Sequence, residues 1–313
     1  MKIEQIQVEK RLVPSDKDDL RHTLRKSAVA RESTPYIVVL PEDRITAFVY
    51  TWVSAEGKAG SACCIFGPGV GEEPILEVVD GISVPADMDF TDWKVGDIRI
   101  QHRKTLAVAD VLFTGKRIGF DMHFEAIHPA YSYSGHPDGC PSDVADDRFE
   151  QSGLVTGTLT IDGRRIPFNT TGHRDHSWGT RDWTAIQHWK WFEGQCGPDM
   201  AVHFFEILCE GKRHLRGYIY KEGLMSEVNS LEVDFEHAAD LKHKSMDAVV
   251  GDLAGRKVRV TGRTFAMNPF QASPTTVLNQ AGMAVEFDGI SGVGWLEMCW
   301  PKAYVDYMGS RNK

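Results

Sequence analysis

Short apolar runs separated by turn residues recur along almost the whole 313-residue chain, and this pattern constrains the fold more than any other feature. The stretch 155–169 is typical, because two runs are joined by Asp162-Gly163, a dipeptide that favours a tight hairpin. A second hairpin is predicted around Thr114-Gly115-Lys116. Further strands are predicted at 37–40, 45–53, 202–209, 215–220, 231–235, 257–260, 283–287 and 294–300. Many short strands of this kind indicate a β-barrel or a β-sandwich.

One short helix is predicted close to the N-terminus. Ser15 can cap it, and Leu20, Leu24 and Ala28 repeat every four residues. The expected fold class is therefore mainly β, with two antiparallel barrel or sandwich domains and this one helix. We place the domains at 1–175 and 176–313, with the boundary inside the polar, glycine-containing stretch 169–183.

The charge balance argues against two classes of partner. The chain has 35 Lys and Arg against 44 Asp and Glu, a formal net charge of −9. Nucleic acids and anionic membranes attract clustered basic residues, and the sequence has no such cluster. It also has no apolar run of about 18–20 residues that would span a bilayer, and its first residues lack the apolar core of a secretory signal. We therefore expect a cytoplasmic protein with no nucleic-acid or membrane partner.

Motifs that hold common cofactors are missing. No GxGxxG motif follows a strand, no phosphate-binding loop occurs, and no GxSxG elbow marks a serine hydrolase. We therefore expect no cofactor and no metal. A metal site built from His173, His176 and an aspartate (Asp175 or Asp182), completed by His188 or His203, is a disfavoured alternative. In an extended chain His173 and His176 would face opposite sides.

The segment 172–191, GHRDHSWGTRDWTAIQHWKW, concentrates the groups that can do chemistry. It contains three histidines, two aspartates, two arginines and four of the eight tryptophans. Burying titratable groups beside indole rings is costly unless they are paired, so such clusters are enriched where shifted pKa values are useful. This segment is the predicted site.

The same segment carries a family resemblance. The run HRDHSWGTRDW, the following HWKWF, the upstream FEAIHPAYSYS and the late GVGWLE resemble the superfamily of carotenoid 1,2-hydratases and AttH-like proteins. The resemblance implies two lipocalin-like β-barrel domains. It also implies hydration, cyclisation or isomerisation of hydrophobic unsaturated substrates without a redox cofactor. His176-Ser177-Trp178 matches the His-x-Trp pair that is implicated in catalysis by the hydratases.

We expect His176, Asp175 and His173 to be catalytic. A histidine can exchange a proton near neutral pH. Asp175 can donate a proton if burial raises its pKa, or can orient a histidine if Arg174 or Arg181 keeps it ionised, and the sequence leaves both alternatives open. The expected substrate-binding residues are Trp178, Trp183, Arg181, His188, Trp191, Glu125, His128, Tyr133 and His203.

These residues predict a cofactor-independent lyase, such as a hydratase or dehydratase, that uses general acid–base catalysis. Its expected substrate is a hydrophobic unsaturated or aromatic small molecule, either terpenoid-like or a lignin-type aryl compound. An isomerase or cyclase acting on a similar substrate is one alternative. A lipocalin-like carrier without enzyme activity is another, and a homodimer is a further candidate assembly.

Overall fold

The computed structural model describes residues 3–311, which form two compact units. The first unit comprises the chain up to Val38, Ala47–Ile65 and Glu73–Arg181. The second comprises Val39–Thr46, Phe66–Glu72 and the chain from Asp182 onward. The units are therefore not two contiguous halves. The change of unit between Arg181 and Asp182 lies within the stretch 169–183 given for the boundary, six residues beyond the division at 175.

The first unit is built on an antiparallel sheet of eleven strands. The strands are Ala30–Leu40 (β1), Ile45–Ser54 (β2), Lys58–Phe66 (β3), Ile75–Ser83 (β4), Trp93–Val95 (β5), Ile98–Lys104 (β6), Val108–Thr114 (β7), Ile118–Ala126 (β8), Tyr131–Ser132 (β9), Asp147–Ile161 (β10) and Arg164–Thr180 (β11). Their order in the sheet is β4-β3-β2-β1-β11-β10-β8-β7-β6-β5, and β9 pairs with β10. The strand that carries HRDHSW, β11, therefore lies in the interior of the sheet between β1 and β10.

Both predicted hairpins of this unit are confirmed. The turn between β10 and β11 is Asp162-Gly163, and both residues have positive φ values, of 49° and 86°. This backbone conformation matches the right-handed twist of the flanking strands. The turn between β7 and β8 contains Gly115 and Lys116, as predicted.

The predicted N-terminal helix is only a single 3-10 turn, Asp16–Asp19. Ser15 is the N-cap residue, as expected, and its backbone N–H donates to the Asp18 carboxylate at 2.7 Å. The chain from Leu20 to Val29 contains no helix, and the predicted continuation to Ala28 is wrong. Tertiary contacts explain the difference, because Asp19 binds Arg174 of β11 and His22 binds Glu32 of β1. Such contacts readily override a short apolar periodicity.

Four further 3-10 turns are present in the first unit. They are Ile3–Gln5, Lys10–Leu12, Phe90–Asp92 and Tyr133–Gly135.

The second unit contains a closed antiparallel barrel of eight strands. These are Ile186–Gln195 (β12), Met200–Cys209 (β13), Lys212–Lys221 (β14), Leu224–His237 (β15), His243–Asp252 (β16), Lys257–Ser273 (β17), Thr276–Phe287 (β18) and Ile290–Pro301 (β19). Inward side chains such as Phe192, Phe204 and Met283 fill its core. An α-helix, Lys302–Ser310 (α1), follows β19. The mainly β prediction is confirmed, although this helix was not predicted.

No helix in the described part of the chain is both long enough and apolar enough to cross a membrane.

Gly217 in β14 has a structural requirement that can be tested. Its φ is 149°, and an added Cβ would lie 2.1 Å from the His203 carbonyl oxygen. Gly211 also has a positive φ, of 76°, but an added Cβ there would meet no atom within 4 Å. We expect Gly211→Ala to lower the free energy of unfolding by about 1–2 kcal/mol. Gly217→Ala should lower it by at least about 3 kcal/mol, because paired strands must also separate. Urea unfolding measures both, and equal losses would contradict this account.

Candidate functional site

The pairing of β11 divides the predicted catalytic residues between two faces of the sheet. Successive side chains of a strand point to opposite faces. His176 lies opposite Phe149 of β10, whereas Asp175 lies opposite Glu150. His176 therefore shares a face with Arg174 and Trp178, and Asp175 shares the other face with His173. The three residues expected to be catalytic are therefore not brought together on one face of the sheet, and a catalytic role for each stays a prediction.

On the first face, Glu32 joins two histidines. The Glu32 Oε1 atom accepts hydrogen bonds from His176 Nε2 at 2.8 Å and from His22 Nδ1 at 2.7 Å. Its other oxygen, Oε2, accepts from the His22 backbone N–H at 2.9 Å. The Glu32 carboxylate is fully buried and so depends on these three donors. We call Glu32, His22 and His176 the Glu32 cluster.

The Glu32 cluster fixes which nitrogen of His176 carries a proton. Burial raises the pKa of Glu32, but the hydrogen bonds from His176 and His22 outweigh burial, and the net pKa lies below its usual value. The carboxylate is then ionised at neutral pH and can only accept, so the His176 proton lies on Nε2. In the neutral ring the lone pair is on Nδ1, which makes no hydrogen bond to the described residues.

Aromatic rings surround His176. Phe90, Phe149 and Trp178 approach its ring edge-on, with centroid distances of 5.0, 5.4 and 5.4 Å. Trp178 also stacks on His22 at 3.8 Å with an interplanar angle of 8°. His176 is 2% exposed, whereas the His22 side chain is 20% exposed. The cluster is therefore apolar around His176 and open to water on the side of His22 and Trp178.

His102 adds a further titratable group beside the Glu32 cluster. Its ring stacks on Phe90 at 6.4 Å, and its Nδ1 lies 3.4 Å from Asp19 without forming a hydrogen bond. Burial lowers the pKa of His102 to about 4, although Asp19 acts in the opposite direction. His102 is therefore neutral at physiological pH.

The second face of β11 contains a different buried network, centred on Glu150. Its carboxylate accepts hydrogen bonds from Tyr133 Oη at 3.0 Å, Arg148 Nε at 2.5 Å and His173 Nε2 at 2.9 Å. Arg148 also donates to Asp175 at 2.7 Å through Nη2. Asp175 is thus paired with an arginine, as one of the two alternatives predicts, although the partner is Arg148.

Arg174 and His173 are also paired with buried carboxylates, Asp19 and Glu150. Arg174 donates to Asp19 and to the Gln151 side chain, at 2.9 Å in each case. Burial lowers the pKa of His173, and the hydrogen bond to Glu150 only partly offsets this effect. Arg174 does not pair with Asp175, as one of the two alternatives allowed, because the two side chains lie on opposite faces.

The remaining predicted residues of the first unit have separate environments. Arg181 is half-buried and donates to the Val144 carbonyl oxygen at 2.9 Å. Glu125 is exposed to solvent on β8, and its expected contact with substrate stays a prediction. His128 is fully buried, and both of its ring nitrogens are hydrogen-bonded to the backbone.

Four predicted residues belong to the second unit. The Trp183 ring lies 5.4 Å from Trp189. His188 bonds to the Cys299 carbonyl oxygen at 2.6 Å through Nδ1. Trp191 is buried with its ring 5.4 Å from His203, and His203 Nδ1 donates to the Phe192 carbonyl oxygen at 2.8 Å. Of the predicted tryptophan walls, Trp178 alone lies in the same unit as His176.

Sequence reasoning missed His22, Glu32, Arg148 and Glu150, which complete both networks. Glu32 lies in a polar run before the apolar core of β1 and resembles a surface residue. Its role follows from the pairing of β1 with β11, which brings together residues 144 positions apart. Arg148 and Glu150 lie at the end of an irregular connection. Their role could have been inferred only from the pairing of β10 with β11, which places them opposite residues 175–177.

The Glu32 cluster is also a group that could hold a metal ion. The ligand atoms of His22, Glu32 and His176 all lie within 4.8 Å of one another. Two imidazoles and a carboxylate suit divalent transition metals. His176 Nε2 and His22 Nδ1 already donate hydrogen bonds to Glu32, so a metal ion would have to replace the proton on each of these two nitrogens. The alternative set that combines His173 with His176 does not form, because these residues occupy opposite faces of β11.

The match to a known protein family extends over nearly the whole chain. A family model described as "Domain of unknown function (DUF7064)" matches residues 15–302. Among curated proteins, the quinolone epoxide rearrangement protein penF of Penicillium thymicola is 34% identical over 66 residues. That match spans 21% of this chain and 18% of the penF protein, so it concerns a small part of both.

Solved structures show a shared fold at low sequence identity. A Nitrosomonas europaea protein provisionally assigned as AttH has a TM-score of 0.61 and 12% identity, over 86% of this chain and 91% of its own. Kievitone hydratase from Nectria haematococca has a TM-score of 0.57 and 9% identity, over 92% of each chain. CghA, solved with Sch210972, has a TM-score of 0.60 and 12% identity, over 86% and 88%. These matches confirm the fold that the resemblance to AttH-like proteins implies.

The burial of His128 leads to a testable pH dependence. Its Nδ1–H donates to the Pro129 carbonyl oxygen at 2.7 Å, and its Nε2 accepts from the Ser152 N–H at 3.2 Å, so the folded protein needs the neutral ring. Burial lowers its pKa from 6.5 to about 3. Below pH 6.5 the unfolded chain binds a proton that the folded protein does not bind. This residue therefore lowers the free energy of unfolding by about 1.4 kcal/mol per pH unit as the pH falls towards 3.

We expect His128→Gln to lower the free energy of unfolding at pH 7. Between pH 6.5 and 4 this free energy should then fall less steeply as the pH decreases, by the contribution of about one bound proton. Urea unfolding at several pH values measures this slope. His123→Gln is the control, because this exposed ring on β8 is hydrogen-bonded to Asp110 at 2.7 Å and is not held neutral by burial, so its loss should not flatten the decline. A wild-type slope in His128→Gln would show that His128 is not held neutral.

Proposed function

We propose that this protein, which belongs to the DUF7064 family, is an enzyme that acts on a hydrophobic unsaturated or aromatic small molecule by proton transfer. The proposed reaction is addition or removal of water, and the alternative is an isomerisation or cyclisation of a similar substrate. The observation that carries the proposal is the 2.8 Å hydrogen bond from His176 Nε2 to buried Glu32, which leaves Nδ1 as the basic nitrogen.

His176 is the proposed catalytic residue. Its Nδ1 removes a proton from a C–H or O–H group of the substrate, and the ring becomes an imidazolium. The Glu32 carboxylate stabilises this cation through the existing hydrogen bond, as a carboxylate does in other acid–base dyads. Glu32 is therefore a positioning residue. Return of the proton to a leaving hydroxyl releases water, whereas its return to another carbon isomerises the substrate.

The surrounding rings support this chemistry. Phe90, Phe149 and Trp178 keep water from most of the His176 ring, which strengthens its interaction with Glu32. An indole face can also stabilise positive charge that develops on a substrate carbon. Trp178 is partly exposed, so its ring can contact a molecule that enters from solvent.

The names of similar proteins support the same reaction class. Kievitone hydratase is named for a hydration, and penF is named for rearranging an epoxide. Hydration and rearrangement both require a group that moves protons. The Glu32 cluster provides such a group, and the two reactions differ in where the proton is returned.

The proposal can be tested with a panel of unsaturated aromatic compounds that includes kievitone. Mass spectrometry detects hydration as the gain of a water mass, dehydration as its loss, and isomerisation as a new peak of unchanged mass. For any compound converted, we expect His176→Asn to lower kcat by about 10²–10⁴-fold. Glu32→Gln should also lower kcat, with a smaller effect on KM, because it weakens stabilisation of the imidazolium.

Two controls separate this proposal from its rivals. His123→Asn changes an exposed histidine outside the cluster and should keep wild-type kcat. Dialysis against EDTA should leave turnover unchanged, whereas a loss restored by a divalent ion would indicate metal chemistry at the Glu32 cluster. Wild-type turnover by folded His176→Asn would overturn the assignment.

A further inference from the structure

One end of the second unit's barrel presents polar and aromatic side chains on its inner surface. This end, which we call the barrel mouth, is where β12 begins and β19 ends. Phe192, Phe204 and Leu296 point into the core. Alternation along each strand then directs Lys190 and His188 of β12, Glu206 of β13 and Trp300 of β19 inward as well. The apolar core of the barrel is thus closed at this end by charged and aromatic groups.

An ion-pair network lies at the barrel mouth. Lys190 and Glu206 are directly opposite each other on β12 and β13, and their side chains form an ion pair. Arg213 of β14 binds the second Glu206 oxygen at 2.5 Å through Nε. Burial raises the pKa of Glu206, but Lys190 and Arg213 outweigh it and keep the carboxylate ionised. Two cations share one carboxylate, so these three side chains together carry one net positive charge.

Aromatic rings lie directly beside this charge. The Trp300 ring is 4.2 Å from His188 and 6.1 Å from His237, the last residue of β15. Burial lowers the pKa of His188 to about 4, so this ring is neutral at physiological pH. The rings therefore offer flat surfaces without adding charge.

A buried polar group at this end has no hydrogen-bond partner among the described residues. It is the indole N–H of Trp300. Buried polar groups are normally satisfied, so an unpartnered one beside an ion-pair network indicates a missing partner. An indole N–H requires an acceptor, such as a carbonyl or an anionic oxygen.

We propose that the barrel mouth binds a small aromatic molecule that carries an anionic group, such as a carboxylate or a sulfonate. The aromatic part packs against Trp300 and His188, and the anionic group takes the excess positive charge of Lys190 and Arg213. An oxygen of the same molecule accepts the Trp300 N–H. This site is independent of the Glu32 cluster and of the function proposed for it.

Two fluorescent probes test the proposal on the full chain. Anilinonaphthalene sulfonate is aromatic and anionic, whereas N-phenyl-1-naphthylamine has a similar aromatic body without the charge. We expect the sulfonate to bind saturably at one site. Lys190→Met should weaken its binding at least tenfold and should change binding of the neutral probe less than twofold. Lys190→Arg keeps the charge and should retain most of the affinity.

A matched control is available at the opposite end of the same barrel. Lys221 is also paired with an acid, Asp288, at 3.2 Å, and Lys221→Met should leave both probes unaffected. Trp300→Phe should weaken both probes, because it removes both indole surface and N–H. Thermal unfolding confirms that each variant is folded. Unchanged sulfonate affinity in Lys190→Met, equal loss in Lys221→Met, or binding without saturation would overturn the proposal.

Discussion

Buried carboxylates that must be paired constrain the first unit more than any other interaction. Asp19, Glu32 and Glu150 are each almost fully buried, and each is held by a basic side chain of β11. Removing one partner of such a pair would leave a buried charge unsatisfied, which typically costs about 3–5 kcal/mol. The pairs therefore fix β11 against β1 and β10, and they also fix the N-terminal segment through Asp19 and His22.

This constraint explains why the site has two faces. Consecutive residues of a strand point to opposite faces, so the charged residues of β11 cannot all be buried on one side. Arg174 and His176 lie on the first face, and His173 and Asp175 lie on the second. Each face then requires its own partners. On the second face Arg148 donates hydrogen bonds to both Glu150 and Asp175, and so holds the two carboxylates together. The first face instead places His176 among apolar rings with a single carboxylate, an arrangement suited to proton transfer.

The fold could be predicted from the sequence because its signals are local. Asp162-Gly163 forms the expected turn, since the preference for positive φ belongs to those two residues. The helix prediction at Ser15 extended too far, because Asp19 and His22 are drawn to distant partners. The Glu32 cluster contains His176 of the predicted segment, but its other two members were not predicted. Glu32 can be identified as a member of the site only when the pairing of β1 with β11 is known. Glu125, in contrast, is a titratable residue that is exposed to solvent.

The central claim is that Glu32 holds the His176 proton on Nε2 and leaves Nδ1 basic. Nitrogen-15 NMR of histidine-labelled protein reports the tautomer directly, and the His176 signals are identified by their loss in His176→Asn. We expect a protonated Nε2 and an unprotonated Nδ1 at neutral pH in the wild-type protein, with a weaker preference in Glu32→Gln. A proton on Nδ1 in the wild-type protein would contradict this claim.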